Sequence, residues 1–260
     1  MKLSDIWELG IWDYYGKLIF EGEYKYGERN GKGKEYNYDD KLKFEGEYLK
    51  GKRRKGKGYY INGNIEFKIK NGEGNIKEYD YFDGKLIFEG EYKYGEINEK
   101  GKEYYNNGKL EFEGEYLNGK RNGIDKEYYN NGKIRYEGEY LKGKRWNGKG
   151  YNINGNIEFE IKDGEGKGKE YDYQGKLRLE GEYKDGVRNG KGKDYNYYGI
   201  LKFEGEYLNG FRSGKGKEYN EYGKLIFGGE YKNRERNGKG KEYNYYGKLE
   251  FEGEYLNGKR

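Results

Sequence analysis

Rings and charges alternate along most of the chain. In Phe112-Glu113-Gly114-Glu115-Tyr116, two aromatics and a glycine take the odd positions and acids the even ones. A period of two marks a β-strand with one apolar and one charged face, so Phe112 and Tyr116 are predicted to face one way and Glu113 and Glu115 the other. A Gly-rich basic segment follows, Asn118-Gly119-Lys120-Arg121-Asn122-Gly123, and then a Tyr-rich run, Lys126-Glu127-Tyr128-Tyr129. The two runs predict a β-hairpin. A second turn, Asn130-Asn131-Gly132, closes the unit, since Asn-Gly supplies the positive φ angles of tight hairpin turns.

The pattern restarts at Phe20, Phe44, Ile65, Phe88, Phe112, Tyr136, Ile157, Leu179, Phe203, Phe227 and Phe251, eleven starts separated by 21 to 24 residues. A longer duplication overlies it: Gly46 to Arg53 recurs 92 residues later as Gly138 to Arg145, and both copies lead into an irregular unit. In those units Phe67 and Phe159 are read as replacing the strand glycine. Residues 1–19 read as a partial repeat or cap and 20–260 as one array whose last unit is incomplete. The expected fold is all-β: an elongated, twisted, single-layer antiparallel meander of hairpin repeats, roughly 100 Å long at about 4.8 Å per strand. Glycine at the centre of a strand weakens it, and its recurrence predicts an aromatic ring lying across the bare backbone.

Composition narrows the picture. Only 32% of the 260 residues are apolar while 39% are charged, too little for a thick interior, yet 35 Tyr and 11 Phe can cover one face of a sheet. With no Cys and no His, disulfides, the commonest zinc ligands and every His- or Cys-based catalytic apparatus are excluded. The start of the chain lacks the apolar core of a signal peptide and no stretch approaches a membrane span, so an intracellular, cytoplasmic location is expected.

The pattern aromatic-x-Gly-x-aromatic-x-x-Gly-x-x-x-Gly-x-Gly, as in Phe20-Glu21-Gly22-Glu23-Tyr24 with Gly27, Gly31 and Gly33, resembles the MORN repeat. The Asn-Gly-Lys-Leu segments are similar to a bacterial variant found in proteins labelled antitoxin-like. The resemblance implies a β-hairpin array used for protein scaffolding, for dimerisation, or for holding proteins near membranes, sometimes through anionic lipid. Departures from the family are Tyr where such units often carry Trp, and the two irregular units.

Candidate chemistry is sparse. Paired carboxylates such as Glu45 with Glu47, or Glu204 with Glu206, have the residue types for acid and base work, but the same pair recurs on a solvated face and nothing separates its two pKa values. The Asp80 to Gly84 segment lacks the spaced acids of a calcium loop. No catalytic residue, cofactor site or metal site is therefore expected, and the chain is read as non-enzymatic. An anion or lipid site is expected at Lys50, Lys52, Arg53, Arg54, Lys55 and Lys57, where no acid occurs between Glu47 and Glu66, and at its duplicate Lys142, Lys144, Arg145 and Lys149 beside Trp146. Its plainer reading is that basic turns keep sheet edges soluble and unpaired. A net charge of only +5, from 53 basic and 48 acidic residues, argues against a dedicated nucleic-acid binder.

The other candidate surface is the aromatic face, with Tyr92, Tyr116, Tyr140, Tyr183, Tyr207 and Tyr231 either contacting a partner or packing on one another. The reading that emerges is a repeat scaffold binding a protein partner, or a second copy of itself, through that face. Its alternatives are a module peripheral at a membrane that holds anionic phospholipid through basic turns, a carbohydrate-binding surface of stacked tyrosines, and a recent low-complexity expansion with little selected function.

Overall fold

The computed structural model describes residues 6–260, with side chains from Leu9 onward. The fold is all-β and antiparallel, with 23 strands and no helix among the described residues. Accordingly, no helix is long and apolar enough to cross a membrane. The first five residues of the expected N-terminal partial repeat lie outside the described residues; the strand that follows, Ile6–Trp12, pairs with Leu18–Lys25. The described residues form two compact units, divided between Gly123 and Ile124.

In each unit strands pair with their sequence neighbours, as the repeat predicts. In the first, Leu18–Lys25, Glu28–Tyr36, Leu42–Leu49 and Lys52–Tyr59 run back and forth in order. In the second, Leu177–Lys184, Val187–Tyr195, Leu201–Leu208, Phe211–Tyr219, Leu225–Lys232, Glu235–Tyr243 and Leu249–Tyr255 do the same.

The two turns of each repeat divide their work differently from the sequence expectation. The segment Asn118 to Gly123 is not one loop. Only Asn118 and Gly119 turn, at φ 51° and 74°, and the chain resumes as strand at Lys120. Both central residues of such a two-residue turn need positive φ to match the twist of the flanking strands. Gly123, at φ 111°, begins the next strand with the Glu115 carboxylate folded against it, so that a Cβ there would collide. In the second turn, Gly132 alone is left-handed, at φ 82°. Its N–H donates to the Tyr129 carbonyl at 2.8 Å, and the Tyr129 N–H to the Lys133 carbonyl at 2.8 Å. Asn131 caps this wider turn with its side chain, accepting from the Lys133 N–H at 3.0 Å. Side-chain capping suits Asn as well as the left-handed region does.

The glycines of neighbouring strands face one another. Gly181, Gly192, Gly205, Gly216, Gly229, Gly240 and Gly253 form an unbroken row across seven strands of the second unit. Phe203 lies over this row: a Cβ on Gly216 would sit 2.6 Å from its ring tip, and one on Gly205 2.8 Å. The rings then continue edge to face, Phe203–Tyr231 at 5.2 Å, Tyr231–Phe227 at 5.5 Å and Phe227–Tyr255 at 5.2 Å between centroids. Phe203 and Phe227 are fully buried. Each such ring contributes about 1.5–3 kcal/mol by leaving water, and edge-to-face pairs add to this.

The irregular units overturn one expectation. Phe67 pairs with Gly58 and Phe159 with Gly150, the positions that face Phe44 and Tyr136 from the other side. Phe67 and Phe159 are thus the covering aromatics, and Ile69 and Ile161, opposite Gly56 and Gly148, stand in the glycine row. The ring geometry changes with them: Phe44 and Phe67 stack at an interplanar angle of 23°, as do Tyr136 and Phe159.

Adjacent glycines of one strand separate these requirements. Gly229 meets backbone and the Phe227 ring within 2.7 Å of an added Cβ, whereas Gly228, on the other face, meets only Lys217 at 3.9 Å. Gly229→Thr should lower the unfolding free energy by about 1–3 kcal/mol, and Gly228→Thr should raise it by ~0.5–1 kcal/mol. Equal effects of the two in urea denaturation would refute the covering-ring account.

Candidate functional site

The aromatic face is closed by its own charges. Arg212 extends across Phe203, its guanidinium 4.0 Å from the ring centroid, to Asp194 at 3.1 Å on one side and Glu218 at 3.1 Å on the other. Arg236 repeats this over Phe227, 4.2 Å from the centroid, joining Glu218 at 2.7 Å to Glu242 at 2.6 Å. Arg188 binds Asp194 at 2.6 Å and Arg260 binds Glu242, so a ladder of alternating charge runs along the second unit. In the first unit Arg29 and Arg53 share Glu35, and Arg53 also reaches Glu78 at 2.5 Å.

This arrangement fixes where the expected site residues lie. Tyr116, Tyr140, Tyr207 and Tyr231 are buried and Tyr92 and Tyr183 half-buried, within the ring layer. Tyr183 donates to Glu170 at 2.5 Å, and Tyr116 and Tyr140 donate to Glu103 and Glu127.

The basic residues are dispersed. Arg53, 9% exposed, is spent on Glu35 and Glu78, and Arg145 lies over Tyr136 with Glu127 at 2.7 Å. Lys50 and Lys142 are turn residues at φ 50° and 52°. Lys52 pairs with Glu96 at 2.7 Å, and Lys144 donates to the Asp185 carbonyl at 3.2 Å. Lys55 and Lys57 face Glu47 and Glu45 across the sheet, and Lys149 faces Glu137. Arg54 is exposed, while its carbonyl accepts from the Gly72 N–H at 2.6 Å. A stretch without acids in sequence is supplied with them by its neighbouring strands.

The opposite face holds a surface that sequence reasoning missed. There the glycine row is a bare backbone floor between two lines of charge, forming a groove of about 900 Å³ in the second unit. A separate groove of about 790 Å³ lies in the first unit, and Trp12 packs over Gly10 at its edge. Glutamate and lysine alternate from strand to strand along the walls: Glu204 faces Lys193 and Lys217, and Glu206 faces Lys191. The signal was available as Lys-Gly-Lys in the second strand of a repeat, Lys191-Gly192-Lys193 or Lys215-Gly216-Lys217, answering Glu-Gly-Glu in the first.

The acidic positions of these walls are held in place. Tyr219 donates to Glu204 at 2.7 Å and Tyr195 to Glu180 at 2.8 Å. Burial, and then these carboxylates, push both phenols up to about 12, so they remain donors. On the second wall Glu182 accepts from the Lys191 N–H at 3.0 Å. The lysines are freer: Lys193 and Lys217 are each 3.5 Å from their partner carboxylates, exposed pairs of little energetic weight.

Acid and base chemistry finds no purchase on Glu204, whose carboxyl the Tyr219 phenol holds low, the wrong direction for a proton donor at neutral pH. Glu91 and Glu99 are driven apart, Glu91 upward by its hydrogen bond with Glu99 and Glu99 downward by Lys93, but Glu99 is exposed. Among the described residues no three acidic side chains gather as a metal site.

Comparison with known proteins gives one family. The MORN repeat model matches residues 20–40, 88–109, 112–133, 180–193 and 203–220. No curated protein matches the chain. Among solved structures, the crystal structure of TcdB2-TccC3 is 12% identical, with 94% of this chain covered and 14% of that one, at a TM-score of 0.22. The Photorhabdus luminescens Tc holotoxin pore is 12% identical over 93% of this chain and 14% of its own, at 0.23. Virginiamycin B lyase from Staphylococcus aureus is 12% identical over 96% of this chain and 88% of its own, at 0.21. This chain spans only 14% of the matched toxin chains, and at these TM-scores the likenesses carry no argument.

The shared acid Glu35 makes the ion pairs testable. Burial alone would raise its carboxyl, but Arg53, Tyr48 and Arg29 outweigh burial and hold it at about 2, against an ordinary 4.5. A depressed carboxyl stabilises the fold fully above the ordinary value, and that contribution is lost as pH falls toward 2. Glu35→Gln should therefore flatten the fall in melting temperature between pH 4.5 and 2, and melting curves parallel to those of the native chain would show that Glu35 does not carry it.

Proposed function

We infer that this chain, a MORN-repeat protein, serves as a non-enzymatic scaffold that holds a protein partner along the glycine-floored groove rather than on its ring face. One observation carries the reading: the backbone of the glycine row floors an open channel whose walls alternate in charge at the strand spacing, about 4.8 Å. The ring face is filled by its own tyrosines and roofed by arginines, which leaves little of it to offer.

The groove chemistry favours a polypeptide. Alternating Glu and Lys rows repel a polyanion as often as they attract it, which disfavours nucleic acid and anionic lipid. An extended protein segment carrying both signs can satisfy both walls, and the bare floor admits its backbone closely. The pinned glutamates are ordered before binding, so little entropy is lost in fixing them, while the exposed lysines can turn to meet the partner. Repetition adds affinity by engaging several weak contacts at once.

The test reverses lysines on the groove wall. Lys193→Glu, Lys215→Glu and Lys217→Glu together should weaken capture of partners from cell extract by about tenfold, or ~1.4 kcal/mol. Lys162→Glu, Lys184→Glu and Lys232→Glu, an equal charge change outside the groove, should leave capture unchanged, with far-UV circular dichroism verifying both folds. Equal losses in the two triple variants would reduce the effect to net charge, and no loss in the first would move the interface elsewhere.

A further inference from the structure

The turn edge of the second unit carries a surface independent of the groove. Each second turn there ends the second strand of one hairpin and starts the first strand of the next, so equivalent tips recur every two strands, about 9.6 Å apart. Tyr198, Tyr222 and Tyr246 occupy the same position in three successive tips and are 77%, 62% and 86% exposed.

The backbone of these tips is held by side-chain caps. The Asn196 side chain accepts from the N–H groups of Tyr198 at 2.9 Å and Ile200 at 3.0 Å. Asn220 does the same for Tyr222 and Lys224, and Asn244 for Tyr246 and Lys248. Each exposed ring also has an edge-on support: Tyr197 beside Tyr198 at 5.6 Å, and Tyr245 beside both Tyr222 at 5.8 Å and Tyr246 at 5.5 Å. Lysines lean over the supporting rings, with the Lys176 ammonium 4.2 Å from the Tyr197 centroid and that of Lys224 4.6 Å from the Tyr245 centroid. In the first unit the corresponding aromatics collapse on one another, Tyr38 against Tyr81 and Phe82, and the regular row is lost.

We propose that this row of tyrosine tips binds a proline-rich peptide in the polyproline II conformation, with acidic residues interspersed at a period of three. A polyproline II helix has three residues per turn at 3.1 Å each, so the same face of the peptide returns about every 9.3 Å. Against a tip spacing of about 9.6 Å, the mismatch accumulated over three tips is only about 0.6 Å. Proline rings pack on exposed, pre-ordered aromatics, and the unpaired carbonyls of such a helix accept from tyrosine hydroxyls. Lys176, Lys224 and Lys248 supply the cationic partners for the acids. Asp172 and Glu221 on the same edge leave it short of the four to eight clustered cations that anionic membranes recruit, and disfavour single-stranded nucleic acid likewise.

The test uses a fluorescent peptide of repeated Pro-Pro-Glu long enough to cross three tips, titrated into the full chain and followed by anisotropy. Binding should weaken at least about tenfold in the Tyr198→Ser, Tyr222→Ser, Tyr246→Ser variant. It should be unchanged in Tyr14→Ser, Tyr15→Ser, which removes rings 96% and 70% exposed in the first unit. A Pro-Pro-Pro-Glu repeat, out of step with the tips, should bind at least about tenfold more weakly than Pro-Pro-Glu. Equal binding of the two repeats, or binding indifferent to the three tyrosines, overturns the proposal. So does a tyrosine-dependent response to phosphatidylserine vesicles or a β-linked glucan in the absence of any response to the peptide. Because all the substituted rings are exposed, the groove-lysine variant keeps these tips, and the two interfaces can fail separately.

Discussion

A phenylalanine ring lying flat on bare backbone is the contact from which the rest of this protein follows. Phe203 can rest on Gly205 and Gly216 only because neither has a Cβ, and the facing glycines of every regular hairpin repeat the condition. A single sheet has no second layer against which to bury its apolar side. Laying the phenylalanine rings along the sheet, with tyrosine rings edge-on between them, removes both from water within that one layer. The cost of glycine in a strand is offset by the fully buried ring it admits.

The same choice dictates both faces. Rings lying flat present their π surfaces outward, and Arg212 and Arg236 settle there, each reaching over the ring of the intervening strand to an acid two strands away. Those guanidiniums are polar cover for the ring layer, and of the basic stretches singled out in sequence Arg53 and Arg145 lie over Phe44 and Tyr136 in the same way. On the reverse side the same residues show only their backbone, which floors a trough with the glutamates and lysines before and after each glycine as its banks. Surface and core are two sides of one row of glycines.

Much of this was legible in the sequence. Alternation identified the strands and their antiparallel order, and the recurrence of Gly205 and its equivalents pointed to a covering ring. The slip at Phe67 and Phe159 was not recoverable that way. Moving a strand by two residues keeps every side chain on its own face, so alternation cannot distinguish the two alignments, and only Gly58 and Gly150 on the partner strands decide. Arg53 illustrates the other limit. Its neighbours in sequence are basic, while its partners Glu35 and Glu78 lie 18 and 25 residues away, brought near by pairing. The groove stayed hidden because its walls are assembled from successive strands, and only the pairing register sets Glu204 beside Lys193 and Lys217.

The arginine ladder has a mechanical consequence. Arg212 and Arg236 are each tied to an acid of their own strand and to one in the preceding hairpin, so neither strand can peel from the sheet without also parting an ion pair and uncovering a ring. Loss of one hairpin leaves the next with the same bonds intact. Under tension such a sheet yields in near-equal increments of one repeat, each rupture paying out a similar length of chain, and on relaxation it can rezip from whichever hairpin still holds.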